Sequence, residues 1–257
     1  MTDKLILKSD GPIAELILNY PKRLNALNLE MWAAIPALIK QAEASSARCL
    51  IIHGGDVAHF AAGADISEFP TKWGTRDTAN AAAQKLADAT SAIEHCQLPT
   101  IAAIERSCMG AGLSLATAAD MRVIADGAKI SLPPAKLGAS YPYEDLRRLV
   151  DIIGLAPTRD LILTARVIEA DEAEALGLAS RRCAKGEALA NAKALGTDMA
   201  KLSSWSQRAA KTQLSNIAAG QRTETKAMRA LQVEGFLNPD FKEGYTAFLE
   251  KRKPDFG

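Results

Sequence analysis

The chain has 257 residues, of which 48% are hydrophobic, and its 31 Lys and Arg against 30 Asp and Glu give a net charge of +1. That length suits one large domain, or one domain with an appendage, and is enough to bury a substantial core. The near-neutral charge argues against a nucleic-acid binder, which usually carries a marked basic excess, and gives no polybasic case for a membrane surface. From Lys185 onward the balance tips slightly basic, with 12 basic and 8 acidic residues.

No apolar run approaches the roughly 20 residues of a membrane helix. The opening Met1-Thr2-Asp3-Lys4-Leu5 leads into a short alternating segment, not the apolar stretch of a signal peptide. Cys49, Cys96, Cys108 and Cys183 have no CxxC spacing, and His53, His59 and His95 lack the HExxH arrangement. Neither a metal site nor a disulfide framework is indicated, and the expected location is cytoplasmic.

In chain order, Lys4 to Lys8 and Ile13 to Leu18 alternate apolar and polar residues around Asp10-Gly11-Pro12, which predicts a hairpin. Asn28 reads as the N-cap of a helix to about Ala44, with Met31, Ile35, Leu38 and Ile39 at helical spacing. Cys49 to Ile52 is short, apolar and partly β-branched, a buried strand ending at Gly54-Gly55. An Ala-rich helix is expected from about Thr78 to His95, with strands at Thr100–Ile104, Met121–Ala125 and Lys129–Leu132. Beyond about Glu144 the pattern turns helical, with one short strand near Leu178 to Ser180 and helical periodicity from about Ala188 to Lys253. The expected organisation is a core domain over 1–186 and a helical oligomerisation region over 187–257.

Two small-residue loops stand out between apolar strands and helices: Phe60-Ala61-Ala62-Gly63-Ala64-Asp65-Ile66 and Cys108-Met109-Gly110-Ala111-Gly112-Leu113-Ser114. Small residues let a ligand approach the backbone, and the unpaired N–H groups of a helix start suit an anion or a polarised carbonyl oxygen. Two such donors on one oxygen form an oxyanion hole, worth about 2.7–4 kcal/mol per donor in known cases. Neither loop matches GxGxxG or GxxxxGK[ST], so a nucleotide phosphate cradle is not indicated.

Several co-linear segments carry a resemblance: Pro21-Lys22-Arg23-Leu24-Asn25-Ala26-Leu27, Phe60 to Ile66, Pro99 to Ile104, Met109 to Asp120, and Lys242-Glu243-Gly244 with Phe248 through Pro254. Together they span essentially the whole chain and resemble the crotonase (enoyl-CoA hydratase/isomerase) superfamily. The resemblance implies an α/β fold, a spiral of ββα units with a C-terminal helical trimerisation region, assembled as a homotrimer or a dimer of trimers. It implies an acyl-CoA thioester as ligand, with coenzyme A entering as part of the substrate and no separate cofactor or metal. By motif position the oxyanion donors would be the N–H groups of Ala64 and Ala111. Lys22, Arg23 and Leu24 would lie along the CoA, Ala62 to Ile66 (Ala62, Ala64, Asp65 and Ile66 among them) would line its pantetheine end, and Lys251 would reach a neighbour's nucleotide.

The same resemblance exposes two departures. Hydratase members use two glutamates to activate water. This chain has Ser114 at the first position and Pro133-Pro134 at the second, and neither can exchange a proton as a carboxylate would. The position used by isomerase and dehalogenase members falls on Pro142. Of the residues nearby, Glu144 is the expected general acid or base, Asp145 the fallback, and Tyr141 or Tyr143 a group to orient or protonate an enolate, as in a decarboxylase branch this stretch resembles. Isomerisation, decarboxylation or an atypical hydration are the expected reactions. The alternatives are a non-catalytic acyl-CoA binder and, from another branch of the superfamily, RNA binding.

Overall fold

A computed structural model describes residues 2–55 and 59–256. The hairpin forms as expected: β1 (Leu5–Lys8) and β2 (Ile13–Leu18) pair antiparallel with Leu5 opposite Leu18. Helix α1 (Leu29–Glu43) follows, its start fixed by the Asn28 side chain accepting from the Met31 N–H. Strand β3 (Cys49–His53) leads through the first small-residue loop to α2 (Phe69–Lys72) and α3 (Arg76–Glu94). Strands β4 (Thr100–Ile104) and β5 (Ser107–Met109) lead to α4 (Ala111–Ala118). Then β6 (Met121–Ala125) and β7 (Lys129–Ser131) lead to α5 (Tyr143–Ile153) and α6 (Leu155–Thr164). Next come β8 (Val167–Ile168), α7 (Ala170–Ala175) and β9 (Arg181–Cys183). Four helices finish the chain: α8 (Ala188–Ala200), α9 (Ser204–Ala218), α10 (Lys226–Gly235) and α11 (Pro239–Leu249).

The large sheet has the order β1-β2-β3-β4-β6-β9, parallel from β2 onward. The smaller sheet has the order β5-β7-β8 and is extended at one side by bridges at Ala61–Cys108 and Leu27–Ala64. Each of β2, β3, β4 and β6 therefore gives one strand to the large sheet, then a short strand or bridge to the small one, then a helix. This is the ββα spiral. Period-two alternation divides the large sheet's side chains: Cys49, Ile51, Ile101, Ala103, Val123 and Ala125 pack on Ala188 and Ala192 of α8. Leu50, Ile52, Ala102, Ile104 and Ile124 face the main core with Trp32 and Ile35 of α1 and Ile93 of α3. Both faces are covered, so these strands read as continuous apolar runs. Close approach of α8 depends on Gly196, where a Cβ would lie 3.0 Å from Ile13 and 3.2 Å from the Cys49 Sγ.

The expected strand at Leu178–Ser180 is displaced to Arg181–Cys183. Gly177, at φ +80°, ends the preceding helix, and Leu178 is buried with its carbonyl taken by the Arg122 Nε at 2.7 Å. Two exposed arginines on β9 suit the outer edge of a sheet, where charge discourages further pairing. The long C-terminal helical stretch is four helices, broken at residues 201–203, 219–225 and 236–238. Every side chain of α9 and α10 is at least part-exposed, and Leu237, Phe248 and Leu249 are among the most exposed large apolar groups.

Candidate active site

The two small-residue loops are neighbours because the first pairs with β5, the strand that leads into the second, at one edge of the small sheet. Ala61 donates to Ser107 O at 3.0 Å and accepts from the Met109 N–H at 3.0 Å. Ala64 and Ala111 each lie three residues beyond the bridged pair Ala61 and Cys108, so the register brings them to the same end of the two strands. At the Leu27–Ala64 bridge, Leu27 donates to Gly63 O at 2.8 Å and Asp65 donates to Leu27 O at 2.9 Å. That parallel pattern turns the intervening Ala64 N–H the other way. Ala111 is the first residue of α4, so its N–H has no carbonyl one turn back within the helix. Neither N–H has a hydrogen-bond partner among the described residues.

Glycines make this approach possible. Gly110 has φ +47° and turns the chain into α4. A Cβ on Gly112 would lie 2.8 Å from the Ala61 Cβ, so only glycine lets α4 start this close to the first loop.

The turn Pro21–Arg23 sits beside the first loop, since Ala62 donates to Leu24 O at 3.1 Å. Lys22, Arg23, Leu24, Ala62 and Ile66 are exposed there, and Ala64 is half-buried. Asn25, in left-handed backbone and fully buried, anchors the turn: its side chain accepts from the Tyr20 N–H and donates to Gly54 O and His59 O. Asp65 is used differently. Its carboxylate caps the short turn Ile66–Glu68 by accepting from the Ser67 N–H and hydroxyl. Glu68 likewise accepts from the Leu29 N–H at 2.8 Å. Lys251 is not brought to this group by the chain's own contacts. It follows α11 with φ +55° and is exposed.

Tyr141 is brought to the site and Glu144 is not. The Tyr141 hydroxyl donates to Gly110 O at 3.0 Å and lies 2.5 Å from the Ser114 Oγ, immediately behind the Ala111 donor. Burial pushes its phenol well above the usual range, and the nearby Asp145 carboxylate pushes it further. It therefore stays protonated, a donor and not a base. Glu144 instead turns outward to the Arg147 Nε at 2.8 Å with its side chain 58% exposed. It lines a groove of about 580 Å³ between α3, α5 and α9, with Asp88, Ser91 and Glu94. It is one residue out of phase with the inward face of α5.

The carboxylate on that inward face is Asp145, 3% exposed and bonded to the Arg148 Nη1 at 2.7 Å. Burial raises its pKa, while Ser114 and Arg148 oppose the shift. Arg148 also holds Glu94 through Nη2 at 2.6 Å, and Arg147 holds it at 2.6 Å. Burial alone would raise the Glu94 carboxyl, but these two guanidiniums hold it below its usual range. The sequence contained the signal for Asp145, because Asp145, Leu149 and Ile153 form one i, i+4, i+8 stripe.

At the positions of the absent glutamates, Ser114 is buried and Pro133 lies beside Gly110, its Cδ 3.8 Å from where a Cβ would be. Among the described residues no group of His, Cys, Asp and Glu could hold a metal ion, and no helix is long and apolar enough to cross a membrane.

Residues 8–257 match the enoyl-CoA hydratase/isomerase family. A crotonyl-CoA hydratase of Syntrophomonas wolfei is 33% identical over 263 residues, covering 99% of this chain and 98% of the relative. A crystal structure described as an enoyl-CoA hydratase/isomerase family protein, from Hyphomonas neptunium, superposes with a TM-score of 0.96 at 47% identity, covering 99% of this chain and 97% of that one. Another, of an enoyl-CoA hydratase/carnithine racemase from Magnetospirillum magneticum, gives a TM-score of 0.94 at 31% identity, covering 100% and 96%.

Proposed function

The chain belongs to the enoyl-CoA hydratase/isomerase family, and on that premise we propose that it decarboxylates a 2-carboxyacyl-CoA of the malonyl type. The thioester carbonyl accepts from the N–H groups of Ala64 and Ala111. Lys22, Arg23, Leu24, Ala62 and Ile66 hold the CoA and its pantetheine arm, with Asp65 supporting the loop as a cap. Loss of CO2 leaves the C–C bond pair in a thioester enolate, whose oxyanion charge the two donors stabilise. Tyr141 then delivers a proton to the α-carbon. Coenzyme A enters as part of the substrate, and no separate cofactor is required.

The observation that carries this reading is the state of the carboxylates. Among the described residues, the acids beside the two loops and at the start of α5 are each partnered: Asp65 by Ser67, Glu68 by the Leu29 N–H, Asp145 by Arg148 and Glu144 by Arg147. Hydration and isomerisation need a base to activate water or remove an α-proton. Decarboxylation needs only an oxyanion hole and an acid, the roles this reading gives to the Ala64 and Ala111 N–H groups and to Tyr141. Hydration is the second reading, favoured by the name of the Syntrophomonas relative.

The test is turnover of malonyl-CoA, methylmalonyl-CoA and crotonyl-CoA by wild type, Tyr141→Phe and Glu144→Gln. Decarboxylation is expected, falling by about 10²–10⁴-fold in Tyr141→Phe, the range of a lost general acid, and unchanged within about twofold in Glu144→Gln, whose partner is exposed. Crotonyl-CoA hydration as the dominant activity, or collapse of activity in Glu144→Gln, would overturn it.

A further inference from the structure

Each proposed oxyanion donor shares its peptide bond with the carbonyl of a glycine, Ala64 N–H with Gly63 O and Ala111 N–H with Gly110 O. Neither bond is cis, so the N–H and C=O of each peptide point in opposite directions. A donor on the carbonyl therefore sits behind the N–H, on the same rigid plane. It fixes where that N–H points, and by drawing charge from the amide it makes the N–H a stronger donor.

The two peptides are held differently. Gly63 O accepts from the Leu27 N–H at 2.8 Å. Gly110 O accepts from the Leu113 N–H at 2.8 Å, the Ser114 N–H at 3.1 Å and the Tyr141 hydroxyl at 3.0 Å. Gly110 lies at φ +47° and ψ −111°, a conformation open to glycine, so the plane of the next peptide depends on such outside bonds. Tyr141 supplies the one side-chain donor of the three, from a ring packed against the main core. Its single proton goes to Gly110 O, since a carbonyl can only accept. The 2.5 Å contact with Ser114 Oγ is then a bond that Ser114 donates and the phenol oxygen accepts. Accepting that bond strengthens the phenol as a donor in turn.

We propose that Tyr141, backed by Ser114, is a positioning residue for the oxyanion hole: its hydroxyl fixes and polarises the Gly110–Ala111 peptide and so sets the strength of the Ala111 N–H as a donor to the thioester oxygen. The proposal rests on the reading of Ala111 as an oxyanion donor and is independent of Tyr141 as the proton source. The hydrogen bond acts while charge gathers on the thioester oxygen, where a donor oriented in advance counts most. When the phenolic proton leaves for the α-carbon, Gly110 O loses this donor as the oxyanion is neutralised. The support therefore ends together with the charge it served.

Ala111 is on this account the adjustable donor of the pair, because the bond on Gly63 O comes from backbone and the added bond on Gly110 O from a side chain. Ser114 gains a use in the same structure. Its N–H and its hydroxyl reach Gly110 O by two routes, one directly and one through the phenol.

The probe is acetyl-CoA carrying a 13C label at the thioester carbonyl, which has no carboxylate to lose. Its bound carbonyl is read by difference infrared and 13C NMR in wild type, Tyr141→Phe, Ser114→Ala and Ala111→Pro. In wild type the carbonyl should show a lower stretching frequency and a downfield shift relative to free acetyl-CoA. Ala111→Pro should move it back towards the free value, and Tyr141→Phe should fall between that variant and wild type. Ser114→Ala, which leaves the bond to Gly110 O in place, should lie between Tyr141→Phe and wild type. A Tyr141→Phe carbonyl at the wild-type position overturns the proposal even where decarboxylation collapses, since that collapse then belongs to the acid role. A wild-type carbonyl unshifted from free acetyl-CoA overturns the oxyanion reading, and the proposal with it. A readout without ligand is the amide 15N shift in alanine-labelled protein, with the Ala111 signal assigned by its absence in Ala111→Pro. That signal should move upfield in Tyr141→Phe, and by less in Ser114→Ala, while the Ala64 signal stays and reports an intact first loop. An unmoved Ala111 signal overturns the polarisation.

Discussion

Proline is tolerated at the first position of a helix because the N–H it lacks has no intrahelical partner there. Ala111 occupies that position in α4, so Ala111→Pro removes the proposed oxyanion donor while retaining helix geometry. The expected outcome is a loss of about 10²–10³-fold in kcat, the scale of one such donor, with a thermal midpoint close to wild type. Unchanged kcat would remove Ala111 from the oxyanion hole. The residue scale is also where the sequence was least legible. The small-residue loops could be read directly, because close backbone approach needs residues without bulk. Glu144 and Asp145 are adjacent and chemically alike, so choosing between them requires the phase of α5, which Leu149 and Ile153 set.

Among the elements, the hairpin, α1, β4 and β6 follow from local pattern, because apolar periodicity and the Asn28 cap agree with what tertiary packing requires. β5 and β8 were not legible. Their partners in β7 lie more than twenty residues away in the chain, and strands of three and two residues leave too little periodicity to read. The docking of α5 on α3 depends on Glu94 between Arg147 and Arg148. Since Glu94 titrates below its ordinary 4.5 in the folded chain, its contribution is complete above that value and is lost as pH falls beneath it. Hydrogen exchange should show α5 amides losing protection below pH 4.5, and Glu94→Gln should remove this pH dependence. Protection that is flat across the range in wild type would contradict the pairing.

At the scale of the molecule, α9 to α11 carry apolar side chains that the chain itself does not cover. Leu237 is 78% exposed and Phe248 82%. We propose that this surface, within the expected 187–257 helical region, packs against further copies in a homotrimer, where Lys251 would reach a neighbour's CoA. Leu237→Glu with Phe248→Glu should give a folded monomer by light scattering and circular dichroism, because neither side chain contributes to the chain's own core. A monomeric wild type would contradict the assembly. The slight basic offset of the C-terminal part accords with helices that close over an anionic ligand. Helix α8 opens that region yet packs on the large sheet, so the change from strand to helix in the sequence coincides with a layer of one core.

An enolate held by Ala64 and Ala111 and protonated by Tyr141 after loss of CO2, as proposed, acquires its new α-hydrogen from solvent-exchanged protein. Incubation with methylmalonyl-CoA in D2O, followed by mass spectrometry and NMR of the thioester product, reads that hydrogen. Propionyl-CoA carrying one deuterium at C2 is expected, formed at a rate that collapses in Tyr141→Phe. No decarboxylation, alongside efficient hydration of crotonyl-CoA, would contradict it.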